Sequence, residues 1–283
     1  MKCIASDMDG TLLTAAQELT PENREAIKRA QAQGIEVVIA TGRSYDEAVY
    51  VLKKAGLQCP VICVNGAEVR SKEGEVLAVN PLGDRQAEEA AKLLKDSGVY
   101  FEVYTNKGTF TDDEDKAVTI IADIISSANP GVPLEKIMKG AEERVRAGLV
   151  HKINDYASLF SSPEYQIYKL LAFSFDDGKL SGAQERIRTM EGVEVTSSGS
   201  ENIEVTSKDA QKGIALEAFV KAKGIALAET MAIGDNYNDV SMLRIAGRSV
   251  AMGNASEEIK AICTAVTITN EESGVAKAIN EVL

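Results

Sequence analysis

Histidine is nearly absent from this chain: His151 is the only one among 283 residues. Phosphohistidine transfer, a Ser-His-Asp triad and multi-histidine metal sites all depend on a histidine set beside other reactive groups. His151 lies far in sequence from every polar motif considered below, so carboxylates are left to carry any chemistry. Cysteine is sparse too. Cys59 and Cys63 lie close together around Pro60, but a zinc site would need further ligands. With Cys3 and Cys263 they make four cysteines, read as reduced and mostly buried thiols. No apolar run approaches the ~20 residues of a membrane span. Met1-Lys2 is followed so soon by Asp7 that no secretory signal core is expected. Positive charge is in deficit, 31 Lys and Arg against 43 Asp and Glu for a net charge of -12. That argues against a nucleic-acid binder held by counterion release, which needs a basic face. The expectation is a soluble cytoplasmic protein with neither nucleic acid nor membrane as partner.

What remains is 45% apolar, enough for a sizeable core in one large domain or two smaller ones. The opening residues alternate strand and helix. Cys3-Ile4-Ala5 reads as a buried strand. Thr20-Pro21 marks a helix start, with Thr as cap and Pro at the first helical position, and Gly34 marks its end. The β-branched run over 35–40 is a second buried strand. Ser44 and Glu47 form a capping box for a helix ending near Gly56. A third strand over 61–64 ends in Asn65-Gly66. The pattern predicts a parallel sheet covered by helices.

Between about Leu82 and Ser207 the pattern changes. Strands over 99–104 and 167–175 alternate apolar and polar residues, which predicts an antiparallel sheet with one wet face and helices on the other. Asn129-Pro130-Gly131 and Ser161-Ser162-Pro163 punctuate this region. Strands 193–195 and 203–205 flank 197–201 as a hairpin. The α/β rhythm returns with a helix over 213–222, a strand over 230–233, a helix carrying 240–243, and strands over 249–252 and 265–268. The expected organisation is a split α/β domain, 1–82 with 208–283, holding an inserted α+β domain over 83–207.

Four polar loops lie at strand ends or helix entries of the split domain, where ligands bind to an open parallel sheet. Asp7-Met8-Asp9 places two carboxylates ahead of Gly10-Thr11. Thr41-Gly42 offers a hydroxyl and a backbone amide at a helix entry, a natural phosphate cradle. Lys212 brings a positive charge to a helix start. Asp235, Asn236, Asn238 and Asp239 follow Gly234 as oxygen donors suited to a hard cation such as Mg²⁺.

Asp7-Met8-Asp9-Gly10-Thr11, Thr41-Gly42-Arg43, Lys212 and Gly234-Asp235-x-x-Asn238-Asp239 together resemble the haloacid dehalogenase (HAD) superfamily, in its four-motif order and over the whole chain. The long insertion after the third strand and Asn65-Gly66-Ala67 are similar to its Cof-type branch of phosphatases. The resemblance implies a Rossmann-like core with an α+β cap domain. It implies Asp7 as nucleophile and Asp9 as acid and base. It also implies Mg²⁺ on Asp7, the Asp9 carbonyl and Asp235. Phosphoryl oxygens would be held by Met8, Thr41, Gly42, Lys212 and Asn238, and Asp239 would orient Lys212 or a metal-bound water. The cap would close over a small phosphorylated substrate, hinged near 82–83 and 207–209.

The implied activity is a Mg²⁺-dependent phosphatase for sugar phosphates or phosphorylated cofactors. A phosphotransferase or phosphomutase of the same superfamily is the second expectation, and a sugar-phosphate-binding regulator the third. A pure sensor has no need of Asp9. Arg144, Arg146, Lys152 and Lys169 are cations of the inserted domain that either read a second anionic group or lie on a solvated face.

Overall fold

Strand β1 (Cys3–Ser6) is buried along its whole length, as a strand covered on both faces of a parallel sheet must be. The computed structural model describes residues 1–128, 133–197 and 201–283. Helix α1 (Pro21–Ala32) starts as its residues dictate: the Thr20 hydroxyl accepts the Asn23 N–H, and Pro21 is the first helical residue. It leads to β2 (Glu36–Ala40). Helix α2 (Tyr45–Lys54) opens with the capping box of Ser44 and Glu47, both halves formed. Then come β3 (Val61–Cys63), β4 (Glu68–Arg70) and β5 (Val76–Val79). The last two pair antiparallel and extend the sheet beyond its expected parallel strands.

The chain divides into two compact units, Met1–Val79 with Ala210–Leu283, and Asn80–Asp209. In the second unit α3 (Asp84–Asp96), β6 (Tyr100–Thr105), β7 (Gly108–Thr111), α4 (Glu114–Ala128), α5 (Leu134–Arg146), β8 (Val150–Lys152), α6 (Ala157–Ser161), β9 (Ile167–Phe173), α7 (Asp177–Arg188), β10 (Val193–Thr196) and β11 (Asn202–Ser207) follow in order. Leu82 is built into this unit's core, and its N–H donates to the Ile167 carbonyl at 2.7 Å. The sheet order is β10-β11-β9-β6-β7-β8. Strands β10 and β11 pair antiparallel. The tip residues 198–200, like the Asn129-Pro130-Gly131 punctuation, lie outside the described residues.

Two expectations for this unit are corrected. The sheet is not wholly antiparallel, because β7 and β8 pair parallel; α4 and α5 form the crossover that such a pair requires. Nor is one face wet, since every residue of β6 and β9 is buried. Phe101, Val103, Leu170, Ala172, Ile203 and Val205 pack in one apolar core. The intervening Glu102, Lys169 and Glu204 are buried as well. Helix α5 brings Arg144 onto Glu102 through two hydrogen bonds of 2.9 and 2.8 Å. Lys169 lies 3.7 Å from Glu204 and over the Tyr104 ring. Alternation marks the polar face correctly, but that face is buried as ion pairs instead of hydrated.

The chain returns to the first unit through α8 (Lys212–Ala222), β12 (Thr230–Gly234), α9 (Val240–Ile245), β13 (Arg248–Ala251), α10 (Glu257–Ile262), β14 (Ala265–Val266) and α11 (Gly274–Asn280). The strand expected over 265–268 is shorter, and Thr269 caps the turn that follows it. The sheet order is β14-β13-β12-β1-β2-β3-β4-β5. From β14 through β3 all pairs are parallel. Strand β1 lies between β2 and β12, the point where strand order reverses, and ligands of such sheets bind at the carboxyl ends there.

Replacing Arg144 with Met strands the Glu102 carboxylate in the protein interior and destabilises the second unit by about 3–5 kcal/mol. Adding Glu102→Leu recovers most of that loss. Urea unfolding of both single variants and the double variant checks the sign and the recovery.

Candidate active site

Asp7 is the first residue past β1, and its N–H donates to the Ile233 carbonyl of β12 at 2.9 Å. That bond carries the β1–β12 ladder one step further and fixes where the side chain leaves the sheet. Lys212, the first residue of α8, is 0% exposed. Its Nζ donates to Asp7 Oδ1 at 2.6 Å and to Asp239 Oδ1 at 2.7 Å. The other Asp239 oxygen, Oδ2, accepts the backbone N–H of Asp235 at 3.0 Å and of Asn236 at 3.1 Å. The Thr11 hydroxyl donates to Asp235 Oδ1 at 2.5 Å. Gly10 has φ +76°, and a Cβ there would lie 2.6 Å from Asp235 Oδ2. No other residue fits between the β1 loop and Asp235 without displacing the carboxylate.

Oxygens of Asp7, Asp235 and Asp239 all lie within 4.8 Å of one another. Three carboxylates thus face one ammonium. Burial, then repulsion from Asp239, holds the Asp7 carboxyl well above the usual range, although Lys212 opposes the shift. Burial and Asp239 push Asp235 up to about 6 against the Thr11 hydrogen bond. Burial works against the Lys212 charge, but Asp239 and Asp7 outweigh it and raise its pKa. The donor set is all oxygen and carries excess negative charge, which fits a hard divalent cation such as Mg²⁺. Asp239 already has both oxygens on protein donors, so Asp7 and Asp235 are the carboxylates available to hold it.

Asp9 does not join this cluster through its side chain. Its carboxylate is gripped by Arg43, Nε to Oδ2 at 2.8 Å and Nη2 to Oδ1 at 2.6 Å, and Arg43 also donates to Gln17. Burial raises the Asp9 pKa, but the Arg43 charge and hydrogen bonds win and lower it. Met8 is buried, and its carbonyl accepts the N–H groups of Leu12 and Leu13, closing the loop after Asp7. Thr41 is buried with its hydroxyl accepting the Arg43 N–H at 3.1 Å. Its carbonyl accepts the Asn65 N–H at 2.9 Å. Asn238 Nδ2 donates to Asn65 Oδ1 at 3.3 Å, and Asn65 Oδ1 would lie 3.2 Å from a Cβ on Gly42.

Every site residue expected from the sequence therefore lies in the first unit, in two linked groups around Lys212 and Arg43. Thr11, Gln17, Arg43 and Asn65 join them without having been assigned a role. Arg43 and Asn65 carried a signal, each standing in a polar loop after a strand of the same sheet edge. His151 belongs to the second unit, where its ring lies 5.4 Å from that of Phe110. Of the four cations weighed there, Arg144 and Lys169 are committed to buried carboxylates. Arg146 and Lys152 lie exposed beside Glu142 and Glu114.

A family model described as haloacid dehalogenase-like hydrolase matches residues 4–279. Phosphatase YwpJ of Bacillus subtilis is 37% identical over 285 residues, covering 100% of both chains. The 5-amino-6-(5-phospho-D-ribitylamino)uracil phosphatase YwtE of the same organism is 39% identical over 100% of this chain and 98% of its own. A solved haloacid dehalogenase-like hydrolase from B. subtilis superposes with a TM-score of 0.92 at 37% identity, covering 100% of each chain. The chain belongs to the haloacid dehalogenase-like hydrolase family, in its Cof-type branch, and is a phosphatase.

Asp235 has a higher pKa folded than unfolded, so it takes up a proton on folding at intermediate pH. The cost of burying its charge is absent below the unfolded value of about 4 and fully felt above about 6. In EDTA this carboxyl therefore adds stability as the pH falls through that window, and Asp235→Asn removes its share of the dependence. Mg²⁺ raises Tm more at about pH 7.5 than at about pH 5, because protons compete for the same oxygens. Thermal unfolding of both proteins with and without Mg²⁺ checks each statement.

Proposed function

We propose that this enzyme hydrolyses phosphate monoesters of small metabolites, sugar phosphates or phosphorylated cofactors, through an aspartyl-phosphate on Asp7 with Mg²⁺ as cofactor. The observation that carries the reading is the buried Lys212 ammonium, 2.6 Å from Asp7 and 2.7 Å from Asp239. Such a lysine favours the ionised form that a nucleophile needs, working against the burial and neighbouring carboxylates that raise the Asp7 pKa.

In this reading Asp7 attacks phosphorus in line, and the bond to the leaving oxygen breaks as the new O–P bond forms. Asp9 gives its proton to the departing alcohol. Asp9, now a carboxylate, takes a proton from water as that water attacks phosphorus and releases Asp7. The Arg43 grip favours the carboxylate form, so it suits the second half of the cycle and must loosen in the first. The Thr41 hydroxyl, the Gly42 and Met8 amides, Lys212 and Asn238 hold the phosphoryl oxygens. Asp239, fixed by two backbone amides, sets the direction of Lys212. Mg²⁺, held by Asp7, the Asp9 carbonyl and Asp235, would offset the repulsion between an anionic nucleophile and an anionic substrate.

Residues 1–82 and 208–283 carry this chemistry, and the inserted 83–207 choose the leaving group. YwtE, whose name records a phosphorylated ribityl side chain on a heterocycle, supports small phosphorylated metabolites as the substrate class. Free thiols at Cys3, Cys59, Cys63 and Cys263 suit a reducing cytoplasm.

Asp7→Asn lowers phosphate release from p-nitrophenyl phosphate by about 10⁴-fold or more while circular dichroism shows the fold intact. Near-wild-type release would remove Asp7 as nucleophile. Asp9→Asn lowers kcat/KM more for an alkyl phosphate than for p-nitrophenyl phosphate, whose leaving group needs little protonation. A panel of phosphorylated metabolites, with EDTA controls, tests substrate class and cation requirement together.

A further inference from the structure

Three consecutive residues after β3 have positive φ: Val64 at 47°, Asn65 at 56° and Gly66 at 101°. For Val this is a sterically poor region, because its branched Cβ crowds the backbone, whereas Asn and Gly tolerate it. Strain of this kind persists only where surrounding contacts impose it. Here they do. The Val64 N–H donates to the Arg43 carbonyl and the Asn65 N–H to the Thr41 carbonyl, both at 2.9 Å. A Cβ on Gly66 would lie 2.5 Å from the carbonyl of Gln211, the residue capping α8 just before Lys212. The turn is therefore wedged between the loop after β2 and the start of α8.

The side chain at the centre of this turn is 5% exposed. Its Oδ1 accepts from Asn238 Nδ2 and lies against the Gly42 backbone. One buried amide oxygen thus touches the loop after β2 and the loop after β12, while the backbone of the next residue, Gly66, packs against Gln211 at the start of α8. A carboxamide nitrogen has two hydrogens. With one of them on Asn65, the direction of the other is fixed.

We propose that Asn65 is a positioning residue of the phosphoryl-binding site: it orients the Asn238 amide as a donor to phosphoryl oxygen and holds the Gly42 amide in place. The inference rests on reading this site as the phosphoryl-binding site. It also explains the residue type. The position needs a side chain that tolerates positive φ, accepts a hydrogen bond and adds no negative charge beside a site for an anion. Glycine meets only the first and third of these requirements, aspartate only the first two, and asparagine all three.

The test is a double-mutant cycle of Asn65→Gly and Asn238→Ala, read by the affinity for inorganic phosphate in Mg²⁺, by kcat/KM for p-nitrophenyl phosphate and by Tm. Asn65→Gly keeps the positive φ of the turn, so Tm changes little, while phosphate affinity and kcat/KM fall about tenfold. In the Asn238→Ala background the same change costs less than about twofold, because the partner it orients is gone. Equal losses in both backgrounds, or no loss at unchanged Tm, overturn the proposal. If Asn65→Gly does not fold, Asn65→Asp enters the same cycle. It keeps the acceptor and the turn, so it retains coupling to Asn238 but weakens phosphate binding through its charge, and phosphate affinity equal to wild type overturns the proposal. Wild-type enzyme that neither binds inorganic phosphate nor cleaves p-nitrophenyl phosphate overturns the site reading itself, and this inference with it.

Discussion

An ammonium group shut away from water, with carboxylates on two sides, is the constraint on which the first unit's chemistry depends. A buried charge is tolerated only when paired and hydrogen-bonded, and among the described residues Lys212 meets that condition through Asp7 and Asp239. The pairing therefore ties together three segments that are distant in sequence: the loop after β1, the start of α8 and the turn after β12. The backbone amides that hold Asp239 make the arrangement rigid from one side. The β1–β12 ladder, carried on by the Asp7 N–H, makes it rigid from the other. The nucleophile proposed for the reaction is thus set in place before any substrate arrives.

The same cluster is unbalanced by design of its residues. One lysine does not neutralise three carboxylates, and burial, with that excess added, holds Asp7 and Asp235 above their ordinary pKa values. A site that is uncomfortable by itself and made comfortable by a cation couples metal binding to charge. Asp9 stands apart from that excess, because Arg43 supplies it with a private counter-charge. Two carboxylates with one residue between them therefore live in opposite electrostatic surroundings, which is the condition for giving them different tasks.

Much of this was legible in the sequence because the signals are local. Thr20-Pro21 and Ser44 with Glu47 announce their helices within four residues. Asp7, Thr41, Lys212 and Asp235 each stand where a polar loop follows an apolar strand or opens a helix. What the sequence hid is long-range or short in extent. Thr11 meets Asp235 across 224 positions and Arg43 meets Asp9 across 34. No periodicity records such pairings. Strand β4 has only three residues and β5 is largely exposed, so neither carries a burial pattern. Alternation in β6 and β9 identified a polar face correctly. It did not reveal that Arg144 of α5 would pair with Glu102 on that face, because a polar residue paired inside the protein has the same one-letter code as one in water.

The insertion also has a consequence in time. Strand β1 is an interior strand flanked by β2 and β12, yet the whole of Asn80–Asp209 lies between its two neighbours in the order of synthesis. A ribosome adding about 5–20 residues per second leaves one flank of β1 without a partner for on the order of ten seconds. That flank is apolar and fully able to pair, the kind of exposed edge on which chains aggregate. The second unit, contiguous in sequence, is complete before the first unit's sheet can close. Newly made chains are thus most vulnerable midway through translation, and the strand at risk is the one that delivers Asp7.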